Sequence, residues 1–93
     1  MMPARQAVVR GLVQGVGFRA YVCRLAQSAG IRGEVWNRID GAVETVYAHE
    51  DEAVLDRFEE RLREGPGRVD SVAVYPLEDG VATDEFRIGP TRP

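Results

Sequence analysis

Apolar residues recur along the chain with two different periods, and the switches between them divide it into elements. Residues 6–13 are short and Val-rich, as a strand is. Gly15 and Gly17 then interrupt regular structure within residues 14–17. From Phe18 the spacing becomes helical. Phe18, Val22, Leu25, Ala26 and Ala29 share one face, and Gly30 stands where a helix ends in a left-handed glycine. From Arg32 to Tyr47 the period is two. Val35 and Asn37 lie on one face, Glu34 and Trp36 on the other, and Asp40-Gly41 splits the run as a hairpin turn. A second helix follows, with an acidic first turn (Glu50, Asp51, Glu52) that complements the positive end of its dipole. Val54, Leu55, Phe58 and Leu62 make its apolar face, Arg61 and Arg63 its basic last turn, and Gly65-Pro66-Gly67 ends it. Val69 to Leu77 reads as a strand and Glu85 to Ile88 as a short final one.

The order is β-α-β-β-α-β, with room for one extra edge strand. It predicts an α+β fold, the ferredoxin-like plait: one antiparallel sheet with two helices packed on one face. The 93 residues make a single domain, residues 1–93, with one thin core. Such a plait hosts many unrelated activities, so function must be read from a site.

Composition narrows the classes. The chain carries 12 basic and 15 acidic residues, a net charge of −3, without the basic field of a nucleic-acid binder. A cluster of amides and one Arg can still hold a small anion on an acidic protein. The single cysteine, Cys23, excludes an internal disulfide and a Cys-based zinc site. No apolar run approaches the roughly 18 residues that cross a bilayer. The opening Met1-Met2-Pro3-Ala4-Arg5 lacks a secretory apolar region, so a cytoplasmic protein is expected.

The chemistry gathers at Gln14-Gly15-Val16-Gly17-Phe18-Arg19. A Gly-rich junction between strand and helix aims free N–H groups into one concavity at the positive end of a helix. The chemistry that fits is binding of phosphate oxygens. Arg19 falls in the first turn, where a cation is disfavoured by about 0.3–1 kcal/mol unless an anion lies between it and the amides. Its fork can grip phosphate through two hydrogen bonds. The alternative is a solvated Arg on a helix surface. Gly15-Val16-Gly17-Phe18-Arg19-Ala20 also matches a dinucleotide fingerprint, with Glu34 where a ribose-binding acid stands. A chain this short, with a hairpin in its middle, lacks the further parallel units that fold needs. No Gly-Lys-Ser/Thr follows, so it is not a Walker A loop.

Val13-Gln14-Gly15-Val16-Gly17-Phe18-Arg19, followed by Gly33-x-Val35-x-Asn37-x-x-Asp40-Gly41-x-Val43-Glu44, resembles the acylphosphatases. The likeness runs from Val8 to Ile88 and includes the Gly65-Pro66 helix exit and the strand Arg68-Val69-Asp70-Ser71-Val72. It implies a metal-free hydrolase without cofactor that cleaves carboxylic-phosphoric anhydrides to a carboxylate and inorganic phosphate. It also implies roles for residues. Arg19 and the backbone of Gln14, Gly15, Val16, Gly17 and Phe18 bind the phosphate, and Asn37 orients the attacking water. Without the resemblance, Asn37 would read as a residue of the hairpin turn. Two departures stand out. Many members have Arg where this chain has Leu12, and an aromatic where it has Glu34. Here the aromatic is Trp36, about 6–7 Å further along the same face.

The expected partner is a small acyl phosphate, with no nucleic acid and no membrane, and the expected state is a monomer. The chain's end at Pro93 favours a free-standing enzyme. A carbamoyl-phosphate-processing module, as in hydrogenase maturation factors, is a second reading. A non-catalytic anion- or ligand-binding plait is a third. His49 reads as a strand-end surface residue and Cys23 as a small buried hydrophobe. Tyr21, Tyr47 and Tyr75 read as core or sheet-surface aromatics, and Arg10, Arg32 and Arg38 as solvated.

Overall fold

A computed structural model describes residues 2–93, and Met1, the first residue of the expected domain, lies outside them. The elements are β1 (Ala4–Leu12), α1 (Phe18–Ser28), β2 (Arg32–Asn37), β3 (Val43–Ala48), α2 (Glu52–Leu62), β4 (Arg68–Pro76) and β5 (Phe86–Ile88). Their order and type match the expected plait. The first residues of α2 differ. Glu50 lies outside it and Asp51 is its N-cap, because the Asp51 carboxylate accepts from Ala53 N–H at 2.9 Å. The helix therefore begins at Glu52.

The strands form one sheet in the order β4-β1-β3-β2-β5. Each neighbouring pair among the four long strands is antiparallel, but β5 lies parallel to β2. The expected wholly antiparallel sheet is thus mixed. The cause is where segment 77–85 delivers the chain. Leu77 N–H bonds the Ala4 carbonyl at the start of β1. Gly33 N–H then reaches the Glu85 carbonyl, and Thr83 Oγ1 donates to the Gly33 carbonyl at 3.1 Å, both at the start of β2. From there β5 can only run alongside β2, and its last residue, Ile88, pairs with Val35.

Both helices cover one face of the sheet. Phe18, Val22 and Ala26 of α1, and Leu55, Phe58 and Leu62 of α2, are buried at spacings of three and four. They meet Ala7, Val9, Val35, Val43 and Tyr47, which alternate along the strands. Tyr47 is fully buried, and its hydroxyl donates to Glu59 at 2.6 Å. Arg5 holds the same carboxylate at 3.0 Å and also reaches Asp56 and Glu52. This network ties α2 to the sheet. At the opposite end of the sheet, β1 and β2 both deliver the chain to one place, which carries the candidate site.

Candidate active site

Residues 13–17 leave β1 and turn into α1. Gly15 and Gly17 have φ of 74° and 84°, values that L side chains resist. A Cβ on either would meet no protein atom. Backbone conformation, not crowding, requires glycine here, and the loop's inner side stays open. Gly17 caps α1 without a side-chain acceptor, and no acidic residue occupies the first turn. The amides of residues 15 to 20 donate to no backbone acceptor among the described residues. Helix α2, capped by Asp51, shows the contrast. The start of α1 therefore presents unpaired donors and the positive end of its dipole to one small concavity.

That concavity is a cleft of about 170 Å³ lined by Val13, Gly15, Gly17, Phe18, Arg19, Ala20, Asn37 and Ile88. Arg19 and Asn37, read from two separate motifs, thus share one cleft. Arg19 is half-buried and makes no ion pair among the described residues. The Asn37 side-chain oxygen Oδ1 is buried and has no partner among the described residues. An unpaired buried acceptor costs about 1–3 kcal/mol, which is tolerated where a ligand or water donates to it.

Gln14 and Val16 are placed differently from the rest of the motif. The Gln14 side chain turns to the β2–β3 hairpin and donates to the carbonyls of Arg38 at 2.7 Å and Ala42 at 2.9 Å. It pins the loop to the residue that follows Asn37. The Val16 side chain is exposed beside Gly67. Gly67, at φ 83°, could carry no side chain, since a Cβ would collide with the Leu12 carbonyl and crowd Val16. The hairpin is closed by Arg38 N–H to the Ala42 carbonyl at 2.8 Å, and Asp40 accepts from Ala42 N–H at 3.1 Å. Asp40 titrates below the ordinary carboxylate range, through this backbone bond first and the nearby Arg38 and Arg10 next.

The remaining residues sort by contact. Arg38 was expected to be solvated but is half-buried, with Asp40 at 2.8 Å and Glu44 at 3.4 Å. The hairpin folds those carboxylates against it. Arg10 reaches Asp40 at 3.4 Å, and Arg32 is exposed. Trp36 does not line the cleft. It lies on the helix-free face, 7% exposed, with the Arg92 guanidinium 4.0 Å above its ring. Arg92 also pairs with Glu34 at 2.9 Å. Cys23 is half-buried, and burial pushes its thiol pKa up, away from a nucleophile's thiolate. The His49 ring accepts from Asp51 N–H at 3.0 Å and stays outside the cleft. Among the described residues no three His, Cys, Asp or Glu side chains group as metal ligands, and no helix is long and apolar enough to cross a membrane.

Two contributors were not seen in the sequence. Ile88 enters the cleft because β5 is parallel to β2 and ends beside it. The segment after it continues along β2. Gly89 N–H bonds the Val35 carbonyl at 2.8 Å and Arg92 N–H the Asn37 carbonyl at 2.9 Å. The backbone of Asn37 is therefore held from one side by the tail and, through the hairpin, from the other by Gln14. A three-residue strand carries too little pattern to reveal its direction or its partner.

Comparison with known proteins agrees with this geometry. The profile of the family described as Acylphosphatase matches residues 5–88. A curated relative from Nitrobacter hamburgensis named acylphosphatase is 49% identical over 75 residues, covering 78% of this chain and 75% of its own. The crystal structure of acylphosphatase from Bacillus subtilis superposes with a TM-score of 0.86 at 33% identity, over 95% of this chain and 99% of that one. Full-length HypF in its phosphate- and nucleotide-bound form matches at TM-score 0.83 and 30% identity, over 99% of this chain but 12% of HypF. A loop, a helix start and an asparagine that meet in one cleft, within a fold and sequence shared along nearly the whole length, have one explanation: the chain belongs to the acylphosphatase family.

Proposed function

We propose that the chain hydrolyses acyl phosphates to a carboxylate and inorganic phosphate, with Arg19 and the loop amides holding the phosphate and Asn37 holding the water. The observation that carries this reading is the buried, unpartnered Oδ1 of Asn37 in the same cleft as Arg19 and the open start of α1.

The chemistry follows from the charges. A phosphoryl group passing to water needs positioning and charge stabilisation rather than covalent help. The amides of Gln14 through Phe18 and the α1 dipole neutralise the phosphate oxygens, and Arg19 adds a two-pronged bond. Water donates one hydrogen bond to Asn37 Oδ1, which turns its lone pair toward phosphorus. The P–O bond to the acyl oxygen breaks as the new P–O bond forms. The leaving carboxylate is already a stable anion and requires no acid. The bound phosphate takes the water's other proton, since no His or carboxylate lines the cleft. On this reading the chain acts as a monomer in the cytoplasm, where its single thiol stays reduced.

Asn37→Ala tests the assignment with benzoyl phosphate and carbamoyl phosphate as substrates. Loss of a preorganised group lowers kcat by about 10²–10³-fold. Removing an unpaired buried acceptor also relieves a cost of about 1–3 kcal/mol. The variant should be at least as resistant to urea as the parent. Full turnover by the folded variant overturns the role of Asn37. A clear preference for carbamoyl phosphate would move the substrate to the second class.

A further inference from the structure

The large apolar residues that the fold leaves exposed are unevenly placed. Of six such residues among the described ones, four, Leu12, Val16, Ile39 and Ile88, 58%, 40%, 75% and 46% exposed, stand at the end of the sheet that carries the cleft, while Val74 and Tyr75 of β4 lie toward its other end. Strand order divides them. Asn37 ends β2, with Ile39 two residues on and Ile88 beside it. Leu12 ends β1, paired with Arg68 of β4, and Val16 lies against Gly67. In the order β4-β1-β3-β2-β5 these are opposite flanks of the loop.

Displacement at phosphorus is in line, so the entering water and the leaving carboxylate occupy opposite sides of the phosphate. With the water on the Asn37 flank, the acyl group must leave on the Leu12 and Val16 flank. Two arginines there are already paired. Arg68 is held by Asp70 at 2.9 Å, and Arg10 by Asp40. A second phosphate on the acyl group would compete with these carboxylates, whereas a hydrocarbon would cover two exposed apolar side chains.

We propose that Leu12 and Val16 form the acyl-binding wall and that this enzyme prefers acyl phosphates whose acyl group is uncharged and apolar. The inference rests on the water position assigned to Asn37. The wall is shallow, so its contribution is one of preference. A methylene-sized contact in an enclosed pocket is worth about 10-fold or more in kcat/KM, and a half-open one about three- to tenfold.

The test compares kcat/KM for benzoyl phosphate, acetyl phosphate and 3-phosphoglyceroyl phosphate in the parent, Leu12→Ser, Val16→Ser and Ile39→Ser. The parent should favour benzoyl phosphate over both others. Leu12→Ser and Val16→Ser should each lower the benzoyl-to-acetyl ratio about three- to tenfold. Ile39→Ser removes similar exposed apolar surface on the water flank and should leave the ratio unchanged. An unchanged ratio in Leu12→Ser, whose exposed side chain makes it safe to fold, overturns the wall. So does a parent that favours 3-phosphoglyceroyl phosphate. A parent that hydrolyses none of the three overturns the proposed function itself, and the wall with it.

Discussion

Gln14→Leu separates holding the loop from folding it. The Gln14 amide bridges the phosphate loop and the hairpin by two hydrogen bonds, to the Arg38 and Ala42 carbonyls. Each such bond contributes about 0.5–1.5 kcal/mol net. Neither carbonyl is orphaned by the change. The Arg38 carbonyl still accepts from Gly41 N–H at 3.1 Å, and the Ala42 carbonyl from Arg38 N–H at 2.8 Å. The expected loss of stability is therefore about 1–3 kcal/mol, or a melting temperature lower by about 4–24 °C for a domain of this size. The rate should suffer more than the fold. The loop and Asn37 are no longer referenced to each other, and a shift of about 1 Å between reacting groups costs on the order of 10²-fold. The assay follows benzoyl phosphate hydrolysis by absorbance, beside inhibition by inorganic phosphate and a urea titration. Phosphate inhibition should change little, because Arg19 and the loop amides remain. A kcat within about twofold of the parent, with the urea midpoint lowered, would refute the positioning role and leave Gln14 as a staple of the fold.

Arg19→Lys keeps the charge but loses the planar fork. It should retain weak phosphate inhibition while kcat/KM falls by about 10²-fold, and parent-like kinetics would show that charge alone suffices. The buried Tyr47 phenol is held protonated far above its ordinary value of 10, by burial first and Glu59 next. A raised folded-state pKa gives stability that is fully present below the unfolded value and lost as pH rises past it. The parent's urea midpoint should drop above pH 10. Tyr47→Phe should cost about 1–2 kcal/mol at neutral pH and flatten that alkaline decline; equal alkaline slopes would count against the Tyr47–Glu59 link. Dialysis against a chelator should leave kcat unchanged, and loss of turnover restored by a divalent cation would bring a metal into the reaction.

Much of this molecule follows from local pattern. Phe18, Val22 and Ala26, or Leu55, Phe58 and Leu62, repeat at helical spacing, so their faces are readable without knowing what covers them. Val35 and Asn37 share a face because side chains alternate along a strand. Gly15 and Gly17 announce the loop because only glycine adopts its conformation without strain. Arg19 at the positive end of a helix fits a bound anion electrostatically, but its position alone also reads as a solvated Arg. Asn37 needed the resemblance, since a lone asparagine beside a turn carries no chemistry of its own.

What the tertiary structure decided involves pairs of segments far apart in the chain. The direction of β5 depends on where segment 77–85 releases it, and three residues hold no period from which to read that. Its parallel course brings Ile88 to the cleft and the tail to the Asn37 backbone. Arg38 is engaged because the hairpin folds Asp40 and Glu44 onto it, and Trp36 is covered because Arg92 returns across the sheet. Gln14 was legible as part of a motif, but its side-chain partners lie 24 and 28 residues away. Spacing along the chain determines which face a residue occupies. Only packing determines what stands opposite, because burial rewards any apolar partner while a hydrogen bond requires one at a particular distance and angle.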